Sequence, residues 1–139
     1  MEFTRRGAIA ISAGFAAALM LPTRAARAAI DEQIAAFTGG AEVGSGGITL
    51  TTPEIAENGN TVPIEVDAPG AEEILVLASN NPTPEVATFR FGPLAGKQKA
   101  ATRVRLAGTQ DVIAIARMGD GSFVQAANEV KVTIGGCGG

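Results

Sequence analysis

Histidine is absent from all 139 residues. That absence excludes Cys/His and Ser/His nucleophilic catalysis, His-based zinc sites and His-ligated haem within this chain. Trp and Tyr are also missing, and the aromatic share is only 4%. A core must therefore come from Val, Ile, Leu, Ala and six Phe. Cysteine is reduced to one residue, Cys137, so no intramolecular disulfide can form. Basic residues are few, 11 Lys and Arg against 14 Asp and Glu. Four of them (Arg5, Arg6, Arg24 and Arg27) fall within residues 1–28 beside a single acid, Glu2, which leaves 7 basic and 13 acidic residues further on. A scattered set under a net charge of about -6 makes no nucleic-acid groove.

What is present begins with an export signal. Thr4-Arg5-Arg6 precedes an apolar run from Gly7 to Leu21, then Pro22 and the small-residue site Ala26-Arg27-Ala28. A run of about 15 residues is short of the ~20 that span a bilayer, and it ends in a cleavage pattern rather than a stop-transfer one. Residues 1–28 are therefore expected to be a signal peptide. The adjacent arginines fit the twin-arginine type, although Gly7 and Ala8 stand where a bulkier apolar residue is common. Removal near Ala28 predicts a periplasmic protein with no membrane contact afterwards.

The remainder has room for one domain. Ile30, Ile34 and Phe37 form the stripe of a short amphipathic helix, which Gly39-Gly40 ends. Beyond it the apolar period changes to two. Val62, Ile64 and Val66 alternate with polar neighbours, as do Ala87, Phe89 and Phe91, then Val104 and Leu106 beside Arg103 and Arg105, then Val130, Val132 and Ile134. Ile74 to Leu77 and Val112 to Ile115 are apolar on both faces and suit central strands. With Ile48 to Thr51 and Phe123 to Ala126, seven or eight short strands emerge, cut by Glu57-Asn58-Gly59-Asn60, Asn80-Asn81-Pro82 and Gly119-Asp120-Gly121. The expected fold of residues 29–134 is all-β: a helix followed by an immunoglobulin-like antiparallel sandwich. The inter-sheet disulfide and buried Trp known from antibody domains are both missing.

Residues 135–139 read Gly135-Gly136-Cys137-Gly138-Gly139. Two Gly on each side remove every Cβ near the thiol and predict a thin, flexible arm able to enter a narrow channel. They also leave no neighbouring cation, so the thiol is expected near its ordinary pKa of ~8.5. An enzyme nucleophile wants a base or cation beside it. Cys137 therefore reads as a substrate handle offered to other proteins.

The Gly-Gly-Cys-Gly-Gly tail, the preceding β domain, the twin-arginine-like signal and the segment Pro53-Glu54-Ile55-Ala56-Glu57-Asn58-Gly59-Asn60-Thr61-Val62-Pro63 together resemble the SoxY family, carrier subunits of the sulfur-oxidising Sox system. That resemblance implies a non-catalytic carrier that holds thiosulfate-derived intermediates covalently on Cys137 and needs no cofactor or metal. It further implies a SoxZ-like subunit in a heterodimer. A SoxAX-like cytochrome would join thiosulfate to the thiol, a SoxB-like hydrolase would release sulfate, and a SoxCD-like dehydrogenase would oxidise the remaining sulfane sulfur.

Plainer readings stand beside it. In one, Cys137 serves only as an intermolecular staple on an exported immunoglobulin-like structural module; in another, it belongs to a thiol-dependent enzyme. Asn58-Gly59 reads as a hairpin turn. Lys97, Lys99, Arg103 and Arg105 read as a solvated strand face, Glu72-Glu73 as a solvated turn and Asp31-Glu32 as a helix start. Gly44-Ser45-Gly46-Gly47 reads as a flexible loop.

Overall fold

The computed structural model describes residues 21–134. Helix α1 (Leu21–Thr38) opens with Pro22, whose fixed φ and missing N–H suit a first helical turn. It closes where Gly39 (φ 67) and Gly40 (φ 84) take up left-handed backbone, with Gly39 N donating to the Ala35 carbonyl at 2.8 Å. The expected stripe and stop are both there. The helix also runs back through Ala26-Arg27-Ala28, so Asp31 and Glu32 lie exposed in its middle rather than at its start.

Nine strands follow: β1 (Val43–Ser45), β2 (Thr49–Thr51), β3 (Ile55–Ala56), β4 (Val62–Asp67), β5 (Ala71–Ala78), β6 (Glu85–Arg90), β7 (Lys99–Val104), β8 (Gln110–Met118) and β9 (Phe123–Val132). They form a six-stranded sheet in the order β1-β9-β8-β5-β6, with β3 also on β9, and a three-stranded sheet β2-β4-β7. The sandwich is thus as expected from the alternation, and its long strands pair antiparallel. Two short strands do not. β1 and β3 each lie parallel to β9.

Between the sheets pack Val62, Ile64, Val66, Val104 and Leu106 from one side and Ile74, Val76, Val112, Ala114 and Val130 from the other. β5 and β8 are apolar on their second face for a separate reason. Leu75, Leu77 and Ile115 point away from the small sheet and are buried under Ile30, Ile34 and Phe37 of α1. Phe37 meets Phe123 edge to face, with centroids 5.8 Å apart. The molecule therefore has three layers: helix, large sheet and small sheet.

Several local expectations need correction. Glu72-Glu73 is not a turn. Both residues lie in β5, and Glu73, only 9% exposed, is held between Arg90 at 3.3 Å and Arg117 at 3.1 Å. Gly44 and Ser45 belong to β1, because their backbone finds partners on Val124 and Gln125; only Gly46 and Gly47 turn, at φ 90 and 78. Phe123 to Ala126 and Val130 onward form one strand rather than two, since Asn128 and Glu129 continue the ladder with Val112 and Asp111. Asn128 Nδ2 also donates across the sandwich to the Leu50 carbonyl at 2.8 Å.

Candidate functional site

Cys137 and its flanking Gly135, Gly136, Gly138 and Gly139 lie outside the described residues. The chain leading to them does not. β9 ends at Val132, and Thr133 and Ile134 continue beyond it as the root of the arm.

That root is gripped by the segment that follows β2. The ladder of β3 on β9 sets Ile55 beside Lys131 and Ala56 beside Val132. Lys131 N donates to the Glu54 carbonyl at 2.9 Å and Thr133 N to the Ala56 carbonyl at 3.0 Å. The Thr133 hydroxyl donates to the Glu57 carbonyl at 3.1 Å. Gly59 N then donates to the Ile134 carbonyl at 2.7 Å. From the opposite side, Val132 N donates to Thr109 Oγ1 at 3.0 Å. Every residue from Lys131 to Ile134 thus makes at least one hydrogen bond to a neighbouring segment.

Asn58-Gly59 does this work in an unexpected way. It is not a hairpin, because β3 belongs beside β9 while β4 belongs to the other sheet, so the loop crosses between sheets. No residue in it takes positive φ. Asn58 Oδ1 accepts from Asn60 N at 3.0 Å, closing a local turn, and Gly59 is buried. The Gly59 carbonyl accepts from Leu106 N at 2.7 Å. One residue therefore ties the arm root to the loop after β7. That loop is held in turn by Asn81, whose Oδ1 accepts from Ala107 N and from Gln110 Nε2, both at 2.9 Å.

The basic stripe proves to be a solvated face, as expected. Lys97, Lys99, Arg103 and Arg105 are all exposed, and Lys99 is neutralised by Glu65 at 3.1 Å. The hydrogen bond to Glu65, then its charge, holds the Lys99 ammonium above its usual range. Asp120, in the β8–β9 turn, is held below the usual carboxylate range by hydrogen bonds from the Ser122 hydroxyl and backbone. Neither group is part of the arm root. Among the described residues no group of three Cys, Asp or Glu side chains is placed to hold a metal ion.

Over residues 34–137 the chain matches the family described as "Sulfur oxidation protein SoxY". It belongs to the SoxY family. Among solved structures, the sulfur carrier protein SoxY from Chlorobium limicola f thiosulfatophilum is 38% identical, with a TM-score of 0.64, covering 76% of this chain and 96% of that one. A superoxide reductase (neelaredoxin) from Ignicoccus hospitalis is 15% identical at a TM-score of 0.52, covering 63% and 81%. A putative superoxide reductase from Thermotoga maritima is 17% identical at 0.51, covering 69% and 89%. These last two show the sandwich fold alone. No curated protein matches the chain at a significant level. As a SoxY family member, this chain is a sulfur-oxidation carrier protein, and the family match extends through Cys137.

Proposed function

We propose that sulfur intermediates are carried as covalent adducts of Cys137, and that this chain supplies no catalytic group of its own to their conversion. The observation that carries the reading is the family match reaching Cys137, three residues past a root hydrogen-bonded to the body. In loading, the thiol and thiosulfate form a new S–S bond, losing one proton and, to an acceptor of the c-type cytochrome class, two electrons. Hydrolysis of the terminal sulfonate then releases sulfate and leaves a persulfide on Cys137. The chain's part is to keep the intermediate attached while it visits successive active sites, which raises its effective concentration at each.

A signal peptide in residues 1–28, of the twin-arginine type, would deliver the protein to the periplasm. A SoxZ-like subunit would complete a heterodimer there. SoxAX-like, SoxB-like and SoxCD-like enzymes would be its transient partners.

Intact mass of the protein purified after growth on thiosulfate tests the reading. The expected result is a set of adducts of added sulfur or thiosulfonate that disappear in Cys137→Ser, with the thermal midpoint of that variant unchanged. Only free thiol, or only a disulfide-linked dimer, would overturn it in favour of a stapled structural module.

A further inference from the structure

Asparagine followed by glycine occurs once in the chain, at Asn58-Gly59, and the hydrogen bonds around it bear on a reaction that the carrier reading does not use. Such a pair is chemically labile. The glycine nitrogen attacks the carbon of the asparagine side-chain amide, unhindered because glycine has no Cβ. Attack has two conditions. The side chain must be turned toward that nitrogen, and the nitrogen must be free to give up its proton.

The turn supplies the first condition. Asn58 is exposed, and its Oδ1 accepts from Asn60 N at 3.0 Å, closing a ring of atoms that contains both Asn58 Cγ and the Gly59 nitrogen. Thr61 N donates to the Asn58 carbonyl at 3.4 Å and tightens the same turn. The second condition is withheld by the arm root. Gly59 is buried, and its N–H is engaged by the Ile134 carbonyl at 2.7 Å, so the nitrogen keeps its proton while the root is held. One backbone hydrogen bond thus stands between an assembled pair and its reaction.

We propose that Asn58 is a modification site, converted to an aspartyl or isoaspartyl residue through Gly59 at a rate set by opening of the Gly59–Ile134 bond. In the opened root the Gly59 nitrogen loses its proton and bonds to Asn58 Cγ. The Cγ–Nδ2 bond breaks, and Nδ2 leaves as ammonia with that proton. Water then opens the resulting succinimide at either carbonyl. The balance is one water consumed and one ammonia released, with no change of oxidation state. Opening at the side-chain carbonyl leaves aspartate, whereas opening at the main-chain carbonyl leaves isoaspartate, which lengthens the backbone by one methylene. That methylene falls directly before the residue that holds Ile134. The isoaspartyl form therefore has a displaced Gly59 N–H and a looser root.

The test uses the full chain, aged in mildly alkaline buffer. Mass spectrometry with electron-based fragmentation counts both products at position 58, and NMR follows amide exchange at Gly59 in the same buffer. The peptide Glu54-Ile55-Ala56-Glu57-Asn58-Gly59-Asn60-Thr61-Val62-Pro63 gives the rate without a root. Deamidation and exchange both need a free Gly59 N–H. The factor by which the folded chain slows deamidation is therefore expected to be about tenfold or more, and to match the exchange protection of Gly59 within about threefold. In Thr133→Val the two rates should change by one common factor at an unchanged thermal midpoint. Asn60, exposed in the same turn but followed by Thr61, is the internal control and should stay intact. Deamidation at the peptide's rate, an Asn58 that stays intact while Gly59 exchanges, or a variant in which one rate moves without the other would overturn the proposal. The carrier reading rests on Cys137 and survives each of these results.

Discussion

Thr133 illustrates how little a single side chain contributes to the fold and how much to placing the arm. Its hydroxyl donates to the Glu57 carbonyl from an exposed position, so water can replace it when it is removed. Thr133→Val is therefore expected to lower global stability by only about 0.5 kcal/mol, the lower end for a hydrogen bond. Locally the effect is larger. The Gly59–Ile134 bond next to it loses a fixed neighbour, and amide exchange at Gly59 and Thr133 should speed by roughly two- to fivefold, measured by hydrogen exchange with mass spectrometry. Unchanged exchange there would show that the backbone bonds alone hold the root. None of this was legible at Asn58-Gly59. That dipeptide is a strong hairpin signal, but its meaning depends on where β3 goes, and two residues carry no alternation to say so.

Most elements that show a period lie where it put them, although β9 was split in two and α1 begun too late, and the misreadings have physical causes. β5 and β8 were identifiable as central because both faces are apolar; that the outer face is covered by α1 rather than by another sheet needed the coordinates. Glu73 was misread because an acid pair ahead of an apolar run looks like a turn. In β5 it shares the outer face with Leu75 and Leu77, and Arg90 from β6 and Arg117 from β8 reach it across both ladders. This charge therefore links three strands. Glu73→Ala is expected to cost about 1–2 kcal/mol by urea denaturation, below the 3–5 kcal/mol of a fully buried pair, because Arg90 is 81% exposed and Arg117 42%, so both can be rehydrated. A loss under about 0.3 kcal/mol would mean that the pairing adds nothing to the sheet.

At the scale of the whole molecule, stability and function are assigned to different parts. The large sheet has a core on each face, and Leu77, fully buried, belongs to the one sealed by α1. Leu77→Ala should cost about 2–5 kcal/mol and lower the thermal midpoint by several degrees, measured by calorimetry, while Cys137 reacts with small disulfides as before. A simultaneous change in thiol reactivity would show that the arm senses the helix-side core.

Helix α1 runs back along the large sheet, from Phe37 against Phe123 to Ile30 and Asp31, which line a cavity together with Thr109 and Glu129. Thr109 is the residue that steadies Val132 at the arm root. Chain entering α1 and chain leaving β9 consequently share one pole of the molecule. An affinity tag or fluorescent protein fused at Ala29, where the chain would begin after signal removal, would stand at the pole of the arm root and obstruct whatever comes to meet it. The Gly119-Asp120-Gly121 turn, a strand length of on the order of 30 Å away, is where a reporter can be attached without disturbing that traffic.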